Sequence, residues 1–143
     1  MSFIDPGRQY RYYNGWDLTE VYNNNMQLVE SYVHGGRVDE IVRIRRNNYW
    51  TNGNGQSGVT TTDWYLHENV LGSTVRVTNP TGDEMLRAQY DVYGRVRFFQ
   101  NGQLYYNHTM TRFWYTGREM LGNEYGGIGA GLYDYRNRIY STV

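Results

Sequence analysis

Histidines and carboxylates are the side chains of this chain that could bind metal or transfer protons, and their spacing argues against both. The three histidines, His34, His67 and His108, lie far apart, without the HxH or HExxH spacing of zinc sites. The acidic pairs Asp39-Glu40 and Asp83-Glu84 are adjacent in sequence, and adjacent side chains of a strand point to opposite faces of its sheet. We therefore expect no metal ion, no cofactor and no pair of catalytic carboxylates.

Two glycine-bearing segments share only part of a catalytic motif. Ser73 follows Gly72, but residues 71–75 lack the second glycine of a nucleophile elbow, so we expect a turn there. The glycine-rich run 126–131 is not followed by lysine and is not framed by a strand and a helix, as a phosphate-binding loop would be. The sequence therefore predicts a protein that is not an enzyme.

Aromatic side chains give the chain its strongest potential for ligand binding. They make up 17% of the residues, and they are interleaved with arginine, which supplies all fourteen basic residues. Flat aromatic rings stack on sugar rings, but they also pack against one another across β-strands. We expect sheet packing to be the main role, and a carbohydrate-binding surface is the alternative. That surface would use the tryptophans Trp16, Trp50, Trp64 and Trp114.

The composition restricts the partners further. The formal net charge is +0, which removes the long-range electrostatic argument for binding nucleic acid or an anionic membrane surface. Cysteine is absent, so neither a disulfide nor a thiolate metal site is expected. The first residues lack the pattern of a signal peptide, and no run of about 18 apolar residues suggests a membrane span. The compartment stays open on these grounds.

Turn signals cut the chain into short strands. The dipeptides Asn14-Gly15, Asn52-Gly53 and Asn101-Gly102 suit type I′ turns of β-hairpins. Between such turns the side chains alternate with period two, as expected for strands. One predicted hairpin spans residues 96–107 around Asn101-Gly102, and another spans 74–90 around the turn 79–83. The only helix that we expect is a single turn at residues 118–121, because glycine and asparagine interrupt the other windows.

Several rare motifs in a fixed order resemble the C-terminal core of the Rhs proteins, also called the YD-repeat family. The front of the chain, with YNGWDL at 13–18 and SYVHGGRVDE at 31–40, is similar to the repeat that precedes this core. The resemblance covers nearly the whole chain and is least distinctive at residues 41–62. In the core block the matching motifs are Tyr65-Leu66-His67, Leu71-Gly72-Ser73, Gly82-Asp83, Tyr90-Asp91, Tyr93-Gly94, YTGRE at 115–119 and GLYDYR at 131–136.

The resemblance implies a shell-building protein. In that family, antiparallel hairpins pair into a long sheet that winds around an enclosed polypeptide, often a toxin. Members commonly continue into a segment with Asp-Pro where self-cleavage frees the cargo, and this segment is not present before the sequence ends at Val143. The missing segment disfavours a self-cleaving enzyme. The resemblance implies a location at the cell surface or outside the cell, and it offers the cap fragment of a toxin-enclosing shell as a further alternative.

Taken together, these patterns predict one all-β domain over residues 1–143, an antiparallel β-hairpin meander of YD-repeat type with open sheet edges and little or no helix. Its parts are a front hairpin repeat (8–50), a mobile loop (51–58) and a core-like block (63–143). A short array of hairpins leaves two unpaired edges, so it closes into a small barrel or sandwich or pairs with other copies. We expect the second, a non-catalytic homo-oligomer or polymer in the form of a shell, cap, tube or filament.

Overall fold

The structure, a computed structural model, consists mainly of antiparallel β-strands. It describes residues 9–37, 39–105, 111, 113–117, 119–120, 132–134 and 139–141. Nine strands of this described part form one sheet, the main sheet, in which spatial order follows sequence order. The strands are β1 (Tyr10–Asn14), β2 (Asp17–Tyr22), β3 (Leu28–His34), β4 (Ile41–Thr51), β5 (Ser57–Glu68), β6 (Thr74–Thr78), β7 (Glu84–Tyr90), β8 (Val96–Gln100) and β9 (Gln103–Leu104).

The main sheet is an open meander. Its first and last strands, β1 and β9, lie at opposite edges and do not pair with each other, so the predicted all-β hairpin meander with open edges is confirmed and these strands close no barrel. Successive turns alternate between the two ends of the sheet. We call the end with the β1–β2, β3–β4, β5–β6 and β7–β8 loops the upper end, and the other end the lower end.

One face of the main sheet carries the core. Leu66, Val77 and Leu86 are cross-strand neighbours in one row of this face, and Ala88 lies opposite Phe98 in the next. Rows of large apolar side chains on neighbouring strands exclude water from one another, which is the main stabilisation of a sheet face. We call this the core face. Its buried apolar residues are Leu18, Val21, Tyr32, Ile41, Ile44, Leu66, Val77, Leu86, Ala88 and Phe98.

A segment that follows the main sheet covers the core face. Trp114 is 0% exposed, and its ring centroid lies 4.6 Å from that of Phe98. The Trp114 indole N–H donates to the Thr111 carbonyl at 3.1 Å, so its polar atom is satisfied within the core. Its backbone carbonyl accepts from the Thr74 N–H at 3.1 Å. Residues 113–117 therefore act as the second layer of the fold.

Five loops in the described residues share one hydrogen-bonding design. At position one, the side-chain oxygen of Asn or Asp accepts from the backbone N–H groups of positions three and five. The position-one carbonyl accepts from the N–H of position four, where φ is positive, a conformation that glycine adopts without strain. These loops, which we call Asx loops, are 23–27, 52–56, 69–73, 79–83 and 91–95.

The Asx loops and the shorter turns correct part of the turn prediction. Asn101 and Gly102 have φ of 52° and 78° between the paired residues 100 and 103, which confirms this hairpin turn. Asn14-Gly15 was wrong in position, since Asn14 belongs to β1 and the two-residue turn is Gly15-Trp16. Asn52-Gly53 was wrong in type, because the positive φ falls on Gly55 of an Asx loop. The loop predicted at 51–58 accordingly narrows to 52–56.

The last elements are short. A 3-10 turn spans Tyr115–Gly117, and β10 (Glu119–Met120), β11 (Leu132–Asp134) and β12 (Ile139–Ser141) form a small antiparallel sheet. Residues 119–120 are therefore strand, not the single helical turn predicted at 118–121; Arg118 and Leu121 lie outside the described residues, as do the glycine-rich run 126–131 and residues 106–107 of the predicted hairpin. In the part of the chain that is described, no helix has the length and apolar character needed to cross a bilayer.

Candidate functional site at the sheet edge

Strand β1 is the longer exposed edge of the main sheet. Its five residues pair with β2 on one side, and no described strand pairs with its outer side. Tyr12 and Tyr13 are 49% and 54% exposed, and the Tyr12 ring packs edge-to-face on Tyr22 at 5.3 Å. An edge strand presents N–H and C=O groups that another strand can pair with. β1 has no proline, and the features that oppose pairing are one charged residue, Arg11, and the register shift between Tyr12 and Tyr13.

The opposite edge is much shorter. Strand β9 consists of Gln103–Leu104, and it covers only the last part of β8. The ladder is extended by one bond, from the Tyr105 N–H to the Phe98 carbonyl at 2.8 Å. The two edges therefore differ in length, so β1 is the edge that can form the longer ladder with another strand.

The open face, opposite the core face, is kept polar by arginine–carboxylate pairs. Arg45 donates two hydrogen bonds to the Asp63 carboxylate, of 2.8 and 2.9 Å, across the β4–β5 pair. This bond from the Arg45 guanidinium lowers the pKa of Asp63. Arg76 and Arg87 are direct cross-strand neighbours, an arrangement that like charges would oppose, but both bind Glu84, at 2.8 and 3.0 Å.

The four candidate tryptophans do not form one surface. Trp114 is buried in the core, and Trp64 is half-buried against it. Trp16 is 68% exposed in the β1–β2 turn at the upper end, whereas Trp50 is 47% exposed on β4 towards the lower end. A glycan-stacking platform would need neighbouring rings, and the alternation of turns places the two exposed ones at opposite ends. The sequence could have predicted this separation. Because each turn reverses the chain, the number of turns between two residues shows whether they lie at the same end of the sheet.

The histidines have structural contacts. His34 Nε2–H donates to the Leu18 carbonyl at 2.6 Å, and His67 Nε2 lies 2.9 Å from Thr78 Oγ1. His108 lies outside the described residues. Among the residues that are described, no three His, Cys, Asp or Glu side chains come close enough together to hold a metal ion.

The acidic pairs serve loops and strands. Glu40 accepts from the Arg37 backbone N–H at 3.0 Å, and this bond lowers the pKa of Glu40. The Asp83 carboxylate accepts from the Thr81 hydroxyl at 2.7 Å, a bond that lowers the pKa of Asp83. Glu40 pairs with Arg37 of the same loop at 3.4 Å, whereas Glu84 pairs with Arg76 of the neighbouring strand at 2.8 Å.

Two buried carboxylates were missed by sequence reasoning. The Glu30 side chain is 8% exposed on the core face, where it accepts from the Tyr32 hydroxyl and lies 3.5 Å from the Arg46 guanidinium. The Glu68 side chain is 6% exposed and lies 3.4 Å from Arg37. Burial raises the pKa of Glu68. The sequence pattern does not show that these two glutamates are buried, because each occupies a strand position where an apolar residue would also fit.

No model of a protein family matches the chain, and no curated protein is similar to it in sequence. The geometry of the strands and loops therefore supplies the evidence for function.

Proposed function

We propose that this chain is a non-catalytic assembly module, whose main sheet grows by pairing of strand edges with further hairpins of the same kind. The observation that carries the proposal is the outer side of β1, a five-residue edge with exposed tyrosines that no described strand covers. Edge pairing would satisfy its backbone groups without any change in the fold.

The faces of the sheet favour growth at the edges over stacking. The core face is already covered by Trp114 and its neighbours. The open face carries charged pairs such as Arg45–Asp63 and Arg76–Glu84, and burying these pairs against another apolar sheet would cost desolvation energy. Extension by new strands leaves both faces in their present environment.

The same architecture supports the proposal that the chain is a YD-repeat-type module. A meander of hairpins with alternating turns is what that resemblance leads one to expect, and the repeated Asx loops make each hairpin a similar unit. In this proposal the added hairpins build a shell, cap, tube or filament, and a heterologous contact that repeats without closing gives the tube or filament.

Light scattering on a size-exclusion column, followed by negative-stain imaging, tests the proposal. We expect large regular particles for the natural sequence and smaller species for the Tyr12→Lys/Tyr13→Lys double variant, because lysine on an edge strand opposes pairing. The matched control is Val33→Lys, since Val33 is 43% exposed on the interior strand β3. A strict monomer at all concentrations, or equal particles for the β1 variant, would contradict edge assembly.

A further inference from the structure

Apolar side chains are distributed unequally between the two ends of the main sheet. Positions two and three form the tip of each Asx loop, because the hydrogen bonds that close the loop join position one to the backbone of positions three, four and five. At the lower end these positions hold small or polar residues, namely Asn24-Asn25, Gly53-Asn54 and Pro80-Thr81. At the upper end they hold Val70-Leu71 and Val92-Tyr93.

The upper-end loops also carry the most exposed large apolar side chains of the described residues. Val70 and Val92 are 92% and 86% exposed, and Leu71 and Tyr93 are each 68% exposed. Trp16, also at the upper end, is 68% exposed. The loop design does not require apolar residues, since three loops close in the same way without them. Exposed apolar side chains of this kind lower their free energy when they leave water for contact with another apolar medium.

The shape of this surface excludes a standard protein interface. The upper-end loops stand in one row along the end of the sheet, from β1–β2 to β7–β8. With strands about 4.8 Å apart, the row is roughly 30 Å long and about 10 Å wide, or on the order of 300 Å². A stable protein complex buries about 800 Å² on each partner. A lipid interface needs no complementary surface, because each tip can enter it separately, and Trp and Tyr favour that interface.

A cationic hollow lies beside the Val92-Tyr93 tip. It has a volume of about 320 Å³ and is lined by Gln89, Tyr90, Asp91, Arg95 and Arg97. The Asp91 carboxylate is engaged by the Tyr93 and Arg95 backbone N–H groups, both at 2.9 Å. Arg95 and Arg97 are exposed, and neither guanidinium forms an ion pair with a residue that the structure describes. Forked guanidinium donors match the oxygens of a phosphate.

We propose that the upper end of the sheet docks on a phospholipid bilayer. Val70, Leu71, Val92 and Tyr93 enter the boundary between headgroups and acyl chains, and Arg95 and Arg97 bind lipid phosphates. The charged loop residues Arg37, Asp39 and Glu40 share this end, so apolar insertion dominates over attraction to anionic lipid. This inference is independent of edge assembly, since it uses the end of the sheet and leaves both edges free.

Vesicle co-sedimentation tests the docking. The natural sequence should sediment with phosphatidylcholine vesicles, and somewhat more strongly when phosphatidylglycerol is added. The test variant combines Val70→Asn, Leu71→Asn, Val92→Pro and Tyr93→Thr, which copies the residue pairs that the lower-end loops 23–27 and 79–83 carry. Because the same loop design already accepts these pairs, the variant should fold, which circular dichroism and thermal melting would verify.

We expect the test variant to lose at least about tenfold in vesicle partitioning, since several apolar side chains leave the lipid. The matched control is Leu104→Asn, because Leu104 is 59% exposed on β9, away from the upper end; it should partition like the natural sequence. Arg97→Gln should reduce sedimentation with both vesicle types, because both lipids carry the phosphate that the guanidinium binds, and the loss should be smaller than that of the test variant. The proposal is overturned if the natural protein stays in the supernatant with both vesicle types, or if the folded test variant sediments equally. Conversion of an oligomer to monomers by the test variant, without vesicle binding, would assign the row to self-association instead.

Discussion

The body of the main sheet and the outer half of its longest hairpin are stabilised in different ways. Pairing of β4 with β3 ends at Arg46, and pairing of β5 with β6 begins at Tyr65. Residues 47–62 thus project as a two-stranded arm towards the lower end, without a backbone ladder to β3 or β6. Its only described hydrogen bonds to β3 are those from the Asn47 and Tyr49 side chains to the Leu28 carbonyl, at 3.1 and 3.0 Å. The rest of the main sheet, which we call the body, has a buried core that Trp114 covers. Most side chains of the arm are exposed.

The arm replaces core burial with contacts between its two strands. The Trp50 indole lies on Gly58, directly opposite on β5, so closely that a Cβ atom there would be 2.5 Å from the ring. Thr61 donates to the Asn47 side chain at 2.8 Å, and the Asx loop 52–56 closes the tip. The two halves of this hairpin are therefore stabilised differently. An apolar layer stabilises its base, whereas local hydrogen bonds and an aromatic ring over a glycine stabilise its tip.

The largest expected effect separates the two regions. Trp114→Ala should lower the free energy of unfolding by about 3–5 kcal/mol, the usual cost of removing a large buried aromatic side chain. Trp50→Ala, on the arm, should cost less than about 1 kcal/mol, the range of one cross-strand pair. Urea denaturation monitored by circular dichroism measures both. Equal costs would mean that the arm and the body are not energetically distinct.

A smaller effect is expected where the covering segment meets the body. Gly117 has a φ of +73°, and a Cβ atom there would lie 2.6 Å from the Asp39 backbone carbonyl oxygen. Gly117→Ala should therefore destabilise the fold by about 2 kcal/mol through the left-handed backbone conformation and the clash. Gly36→Ala is the control, since a Cβ atom there meets no atom within 4 Å. The melting temperature of Gly117→Ala should be clearly lower than that of Gly36→Ala. Equal melting temperatures would show that Gly117 does not lie in close contact with Asp39.

Within the arm, two glycines of one loop should respond oppositely. Gly55 has a φ of +76°, whereas Gly53 has no positive φ, and neither would bring a Cβ atom within 4 Å of other atoms. Gly55→Ala should cost about 1 kcal/mol, and Gly53→Ala should be neutral or stabilise by about 0.5 kcal/mol because it restricts the unfolded chain. Hydrogen exchange of the arm amides measures the difference locally. The reverse order would restore Asn52-Gly53 as the turn.

The smallest expected effect lies at the base of the arm and depends on pH. Because the bond from Arg45 lowers the pKa of Asp63 in the folded state, this pair stabilises the fold above the pKa of the unfolded state, about 4. The contribution is lost as the pH falls through the lowered folded-state pKa. Asp63→Asn should therefore flatten the acid side of the stability curve. Arg45→Gln should flatten it equally, and the double variant should add nothing further; additive effects would show that the pair is not coupled.

Local patterns in the sequence predicted the body of the fold well. Alternation and turn residues gave hairpins such as β6–β7 around the loop 79–83, because both signals act between neighbours in the chain. The type of the turn at Asn52 was wrong, since the dipeptide does not reveal that the side chain of Asn52 closes a five-residue loop. The projection of the arm depends on how far β3 and β6 extend, which no motif within the arm encodes.

The candidate site was less predictable. Four tryptophans look alike in sequence, yet Trp114 is covered because residues 113–117 return to the core face from outside the main sheet, a non-local contact. A short hairpin array predicts that the sheet has two open edges. It does not predict that these two edges differ in length. The five Asx loops could have been found as a repeat of Asn or Asp with glycine three residues later in four of them.

The strict sequence order of the main sheet has a mechanical consequence. Each strand of this meander is held to its neighbours by ladders that run from one turn to the next. A pull on β1 away from the sheet therefore loads the rungs one after another, as in a zipper, and not all together as in shear. Such a sheet peels under low force from this side only until the pull reaches β2, where Leu18 and Val21 are buried in the core. The next strand, β3, is held further by the Tyr32 ring, which packs on Phe113 at 5.6 Å.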